Sequence, residues 1–206
     1  MDVDLGAERR YGQSMRERLV RDRRWTRREY DRLIGLGFFA EDCPANRVEL
    51  IDGRMIVAEP QNTPHAIACE LAGEALRAAF GAGWRVRMSL PMGMDPDSEP
   101  EPDIAVVRGA PRDSLAEHPS TAALVVEVAD TRVRFDRVVK GRLYARAGVA
   151  DYWIVNLRDR VVEVYREPID DTRGARYAAT HVVHPGEALT PLAAPEARIS
   201  VDELLP

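Results

Sequence analysis

The sequence predicts an α/β (α+β) fold: a mixed β-sheet core with helices packed on it. Three observations predict it. Ala122–Ala129 is an almost unbroken apolar run, typical of a strand buried on both faces. Residues 63–80 carry apolar side chains at helical spacing, with Ile67, Leu71, Ala75 and Leu76 on one side and Glu70, Glu74 and Arg77 on the other. Two β-prone runs, Val48–Ile51 and Met55–Ala58, flank Asp52-Gly53, the signature of a tight hairpin. Helical and strand periods therefore alternate along the chain, which calls for sheet and helices in one core.

The remaining elements follow in order. Thr26 with Glu29 three residues on forms a capping box that opens a short helix, Arg27 to Gly35. Thr63 is the expected N-cap of the second helix, with Pro64 at its first position and Gly81 after its end. Trp84–Leu90 and Asp103–Val107 read as strands. A third helix spans about Phe135–Ala147 and stops at Gly148. Asp151–Val155 and Val161–Tyr165 are two further strands, and the remainder to Pro206 reads as short strand pieces and a tail. The expected division is a basic arm at 1–24 and a folded domain at 25–206. The arm, with seven arginines between Arg9 and Arg24, is either a solvated tail or a phosphate-contacting segment.

Bulk properties exclude several classes. The 206 residues suit one sizeable core. No apolar run approaches the roughly 20 residues of a membrane helix. The arginine-rich start lacks the apolar stretch of a secretory signal, so the cytoplasm is the expected compartment. Cys43 and Cys69 form no CxxC pair, which argues against a disulfide scaffold and a zinc–thiolate site. A net charge of −5 argues against nucleic-acid binding by overall charge, but not against an enzyme with local phosphate contacts.

Chemistry is expected where a residue disagrees with its surroundings, because buried charges persist only when paired or bound to metal. Glu127 interrupts the apolar run Leu124–Val128, and Asp103 opens the neighbouring strand after Pro102. If those strands pair, two carboxylates converge at a sheet edge and repel each other unless a cation lies between them. Lys140 and, one turn earlier, Asp136 fall inside the apolar arc of the third helix, so that an Asp–Lys pair faces the sheet. Glu49 sits in the first hairpin strand, where a solvated carboxylate is the ordinary reading. His65 lies in the first turn of the second helix, as a core-margin histidine or as a ligand, relay or phosphate contact. His118, His181 and His184 show no such spacing.

Taken together, Glu49 in "ELIDGRM", Pro64-His65, Pro102-Asp103, "VVEV" at Val125–Val128 and "DRVVKGRLYARAGVADYWIV" from Asp136 resemble the Uma-two family of restriction endonucleases, within the PD-(D/E)XK nuclease superfamily. The resemblance covers roughly Trp25 to Arg166. It implies a restriction-endonuclease-like fold and an endonuclease that hydrolyses phosphodiester bonds in DNA with Mg²⁺ or Mn²⁺. It implies a metal held by Asp103 and Glu127, with Glu49 as the additional acid. The superfamily lysine usually lies two residues after the acid, where this chain has Ala129. In this family it looks displaced to the following helix, which places Lys140 in that role, supported by Asp136. His65 matches a family histidine. Where family members carry a serine-rich turn, this chain has Ala129-Asp130-Thr131. A homodimer is the oligomer such nucleases often adopt. A second reading, from another class, is a nuclease fold serving as a binding or assembly module with weak or no catalysis. A third is a metal-dependent hydrolase of another phosphorylated substrate.

Overall fold

The structure, a computed structural model, describes residues 22–39, 47–58 and 60–206. Most of the predicted basic arm therefore lies outside the described residues. The first helix, α1 (Arg27–Gly35), has the expected capping box: Thr26 Oγ1 accepts from the Glu29 N–H, and the Glu29 carboxylate accepts from the Thr26 N–H. Strands β1 (Val48–Ile51) and β2 (Arg54–Val57) form an antiparallel hairpin. Its turn places both Asp52 (φ 48°) and Gly53 (φ 69°) in the left-handed region, as a type I′ turn requires.

Helix α2 (Thr63–Phe80) begins one residue earlier than expected. Asn62, not Thr63, is the N-cap: its side-chain oxygen accepts the His65 N–H at 3.0 Å, which puts Pro64 at the second helical position. The amide side chain reaches the third N–H while its own backbone stays extended.

The core is a six-stranded mixed sheet in the order β3 (Trp84–Met88), β4 (Ile104–Arg108), β5 (Leu124–Ala129), β6 (Asp151–Asn156), β7 (Val161–Asp171), β8 (Gly174–Val183). Among the described strands only β5 and β6 pair in parallel, and the crossover connection that parallel neighbours need is here a helix. That helix, α3, runs over residues 133–146. The C-terminal remainder is not merely short pieces. β8 is a ten-residue strand in a long hairpin with β7, followed by a small antiparallel pair, β9 (Ala188–Leu189) with β10 (Ile199–Ser200).

The central strands β4, β5 and β6 are buried on both faces. On one, Val106, Leu124, Val126 and Trp153 pack under Ala68, Ala72, Leu76 and Phe80 of α2. On the other, Ala105, Val125, Tyr152 and Ile154 pack under Leu143 and Tyr144 of α3. Alternation along β5 assigns Glu127 to the α3 face, between Val125 and Ala129. Among the described residues, no helix is long and apolar enough to cross a membrane.

Candidate active site

The register of β4 against β5 decides the geometry. Ile104 lies opposite Val126, so Asp103 and Glu127 occupy the next facing positions. Their polar groups interlock. The Val128 N–H donates to Asp103 Oδ2 at 2.8 Å, and the Asp103 N–H points at Glu127 Oε2 at 3.5 Å. Lys140 comes in from α3: its Nζ lies 3.0 Å from Glu127 Oε1 and 3.4 Å from Glu49 Oε2. Glu49 in turn accepts the Glu101 N–H at 3.2 Å, which ties the β1 hairpin to the approach to β4. His65, in the first turn of α2, places Nε2 3.3 Å from Asp103 Oδ2. The six sequence-selected residues thus line one cleft of about 130 Å³, roughly the space of four waters.

Acidic groups dominate the buried part of the cleft, while the half-buried Arg47 and Arg132 also line it. Four buried carboxylates, Glu49, Asp103, Glu127 and Asp136, face one buried ammonium, Lys140. Burial pushes the Glu127 carboxyl far above its ordinary range, and the charges of Asp103, Asp136 and Glu49 add to this against the pull of Lys140. Burial and the charges of Asp103 and Glu49, opposed by Lys140, likewise raise Asp136 to about 6. Asp103 goes the other way. Burial works against its ionised form, but the His65 hydrogen bond and the Lys140 charge outweigh it. His65 is raised in return: burial lowers it, and Asp103 more than offsets that. Burial also opposes the Lys140 charge, yet Glu127, Glu49 and Asp136 hold its ammonium protonated.

Two features of α3 differ from the sequence expectation. Lys140 pairs with Glu127 and Glu49. Among the described residues no hydrogen bond or ion pair joins it to Asp136, whose buried carboxylate acts on it through charge alone. The helix also contains a π-helical turn over Asp136–Lys140, where the Gly141 N–H bonds to the Asp136 carbonyl. The Tyr152 hydroxyl donates to that same carbonyl at 3.1 Å. A Cβ at position 141 would lie 3.3 Å from this oxygen, so the glycine permits the close turn. Turns of this kind concentrate at functional sites.

The sequence reading missed several partners. The Tyr144 hydroxyl donates to Glu127 Oε1 at 2.6 Å. Its signal was available, since Tyr144 lies four residues after Lys140 on the same face. Gln61 Nε2 approaches Asp103 Oδ1 at 3.5 Å, and Asn62 Nδ2 donates to Asp130 Oδ2 at 2.7 Å, drawing the Ala129–Thr131 turn against α2. Cys69, one turn after His65, places Sγ 3.5 Å from His65 Nδ1.

By donor chemistry, the buried carboxylate oxygens bordering the cleft suit a hard divalent cation. The three expected ligands Glu49, Asp103 and Glu127 do not form a group with mutual oxygen distances within 4.8 Å. Among the described residues the groups whose candidate ligand atoms, nitrogen, sulfur or oxygen, all lie within 4.8 Å of one another are His65–Cys69–Asp103 and Asp52–Asp95–Asp97.

Comparison with known proteins agrees with this architecture. A solved structure described as a "putative nuclease belonging to DUF820" from Anabaena variabilis ATCC 29413 superimposes with a TM-score of 0.61 at 20% identity. The match covers 76% of this chain and 88% of that one, which shows a shared fold. No curated protein matches the chain. The model of the Uma2 family, described as "Putative restriction endonuclease", matches residues 27–202. That match runs from the first residue of α1 past β10 and contains every residue of the cleft named above, and the chain belongs to the Uma2 family.

Proposed function

We propose that the chain is a metal-dependent endonuclease that hydrolyses phosphodiester bonds in DNA. The observation that carries this reading is the cluster of acids in the cleft: four buried carboxyl groups around one buried ammonium, with the half-buried Arg47 and Arg132 also in the lining. Buried charge without compensation is costly, and a cation together with an anionic substrate resolves it. Family membership and the nuclease-like fold support the reaction class.

Asp103 and Glu127, with Glu49, would hold Mg²⁺ or Mn²⁺. Such an ion supplies Lewis-acid polarisation of a phosphoryl oxygen and a bound water of lowered pKa. The chain's own groups supply the rest. Lys140, held protonated by its acidic neighbours, is unsuited to accept a proton. It offsets negative charge that develops on the phosphoryl group. Tyr144 fixes the Glu127 carboxylate by donating to it, and the Val128 N–H fixes Asp103. His65 keeps Asp103 ionised and oriented. The cleft has room for a phosphate group and its hydration rather than a whole nucleoside, so the duplex would lie across its mouth.

The test is plasmid nicking with Mg²⁺ or Mn²⁺. The wild type should nick, and Asp103→Asn, Glu127→Gln and Lys140→Met should each lose at least about 100-fold, the scale of removing one charge-stabilising group. Equal activity in all four proteins would identify a contaminant and reject the proposal.

A further inference from the structure

His65, Cys69 and Asp103 form a second constellation that the nuclease reading leaves partly unused. His65 and Cys69 are separated by four residues, which stacks them on one face of α2. Asp103, at the entrance to β4, closes the triangle. A sulfur, a ring nitrogen and a carboxylate oxygen here lie within 4.8 Å of one another. Cys69 is buried, whereas His65 is only partly buried and borders the open cleft.

The triangle is informative because the same three residue types also build proton relays. In a relay the imidazole stands between its partners, with the ring and two in-line hydrogen bonds separating thiol from carboxylate. Such an arrangement could not keep sulfur and oxygen within 4.8 Å. Here Cys69 Sγ lies 3.5 Å from Nδ1 and Asp103 Oδ2 lies 3.3 Å from Nε2, yet thiol and carboxylate come within 4.8 Å of each other, so both bend away from the in-line directions toward a common point. The thiol is also poorly placed as a nucleophile. Burial and the charges of Asp103 and Glu127 push it above its ordinary range. A cation at the common point reverses that electrostatic logic, since a coordinating thiol is deprotonated. One nitrogen, one thiolate and one carboxylate suit a borderline-soft ion, not Mg²⁺. Two ligands four residues apart on a helix are a frequent way to hold zinc.

We propose that His65, Cys69 and Asp103 bind Zn²⁺, and that the bound ion inhibits the nuclease by withdrawing Asp103 from the hard-cation site. The inhibitory half rests on the nuclease reading above, and the binding half does not. Binding is a substitution without redox change. The thiol sulfur forms a bond to the ion and its proton leaves to solvent. Three protein ligands leave one tetrahedral position for water. The lack of a CxxC pair concealed the group, because only one cysteine takes part and its partners come from a helix face and a distant strand.

The experiment uses Co²⁺ as a spectroscopic substitute for Zn²⁺ on the full-length, reduced protein. The wild type should take up one Co²⁺ with a near-ultraviolet thiolate-to-cobalt charge-transfer band, and Zn²⁺ should abolish the band by displacement. Cys69→Ser and Cys69→Ala should both lose the band, the alanine variant guarding against a misfolded serine variant on this alanine-rich helix. Cys43→Ser should keep it. His65→Ala should weaken Zn²⁺ binding by at least the roughly 10- to 100-fold that an outer-shell partner is worth. No band in the folded wild type, or a band that survives in Cys69→Ala, overturns the site. For inhibition, nicking is scored against each protein's own Mg²⁺-supported rate. The Zn²⁺ concentration for half-inhibition should rise about 10-fold or more in Cys69→Ala. An unchanged value overturns the inhibitory role. If no protein nicks DNA, the nuclease reading falls with its inhibitory corollary, while the cobalt spectra decide the binding site independently.

Discussion

The Tyr144 hydroxyl donates a 2.6 Å hydrogen bond to Glu127 Oε1, the same oxygen that Lys140 Nζ approaches at 3.0 Å. One carboxylate oxygen thus receives a neutral and a charged donor from successive turns of α3. This convergence fixes the orientation of the Glu127 carboxyl group where it borders the cleft. A carboxylate held in place is what a metal ligand requires, because outer partners set ligand orientation.

Tyr144→Phe removes that donor without changing shape. It leaves Lys140 as the principal fixed partner of Oε1. We expect a loss of about 1.5–3 kcal/mol in stability, the range for a hydrogen bond to a charged group. Nicking should fall roughly 10- to 100-fold, as for other outer-shell partners. Urea unfolding and a nicking time course measure the two quantities. Wild-type activity in a destabilised Tyr144→Phe protein would show that the bond supports the fold alone.

Lys140 is the counter-ion for a surplus of acid, so removing it should cost more than its own contacts. Lys140→Met leaves Glu127 and Glu49 buried without their cation, which is expected to destabilise by about 3–5 kcal/mol. Adding Glu127→Gln removes one of the stranded charges. The double variant should therefore be more stable than Lys140→Met, by on the order of 1–3 kcal/mol, and remain inactive. Thermal denaturation of both single variants and the double variant completes the cycle. A double variant less stable than either parent would contradict the charge-imbalance account.

The parts of the fold that were legible in the sequence are those set by local chemistry. Thr26 and Glu29 announce the start of α1, and Asp52-Gly53 dictates a left-handed turn whatever lies around it. Glu127 stood out because it breaks an apolar strand, and Asp103 because it opens the neighbouring strand after Pro102; a two-residue period then fixes their face. The π-turn at Asp136–Lys140 was not legible. It depends on which carbonyl the Gly141 N–H selects, and no side-chain period records that choice. The β7–β8 hairpin was hidden for a different reason. Much of β8 is exposed, and Glu167 (φ 57°) and Pro168 interrupt β7, so neither shows a sustained apolar alternation. The choice of Asn62 over Thr63 as N-cap is a competition between adjacent good caps that the chain path settles.

Outside the cleft, Glu99 gives a pH signature of stability. It is buried, 3.4 Å from Arg27 Nε, yet burial and the charge of Asp31 outweigh that pairing and raise its carboxyl from 4.5 to about 7. The folded state then binds a proton more readily than the unfolded state. The stabilisation is complete below about pH 4.5 and is lost as pH rises through 7. Glu99→Gln should flatten this fall between pH 4.5 and 7. Above pH 7 it should exceed the wild type by an amount on the order of 1–3 kcal/mol. Urea midpoints measured across that range test it, and identical pH profiles for the two proteins would refute the assignment.

Asp151 shows how the sheet secures the C-terminal segment. It is fully buried at the start of β6 and accepts hydrogen bonds from Trp153 Nε1 (2.8 Å), Arg166 Nε (2.9 Å) and the Leu192 N–H (2.9 Å). Arg166 also donates to the Thr190 carbonyl at 2.7 Å, so one charged pair binds β6, β7 and the 190–192 backbone together. The segment from β9 onward carries Leu189, Ile199, Val201 and Leu204 into the α2 face of the core. Asp151→Ala strands a guanidinium, an indole N–H and a backbone N–H at once. The expected cost is about 3–5 kcal/mol, typical of breaking a buried charge pair from one side. Hydrogen exchange should show loss of protection in β9 and β10 before the central strands β4 and β5 are affected, because β6 and β7 are also held by their strand ladder whereas the 190–192 backbone hangs on this anchor. Simultaneous loss of protection throughout the sheet would mean that Asp151 supports the core as a whole.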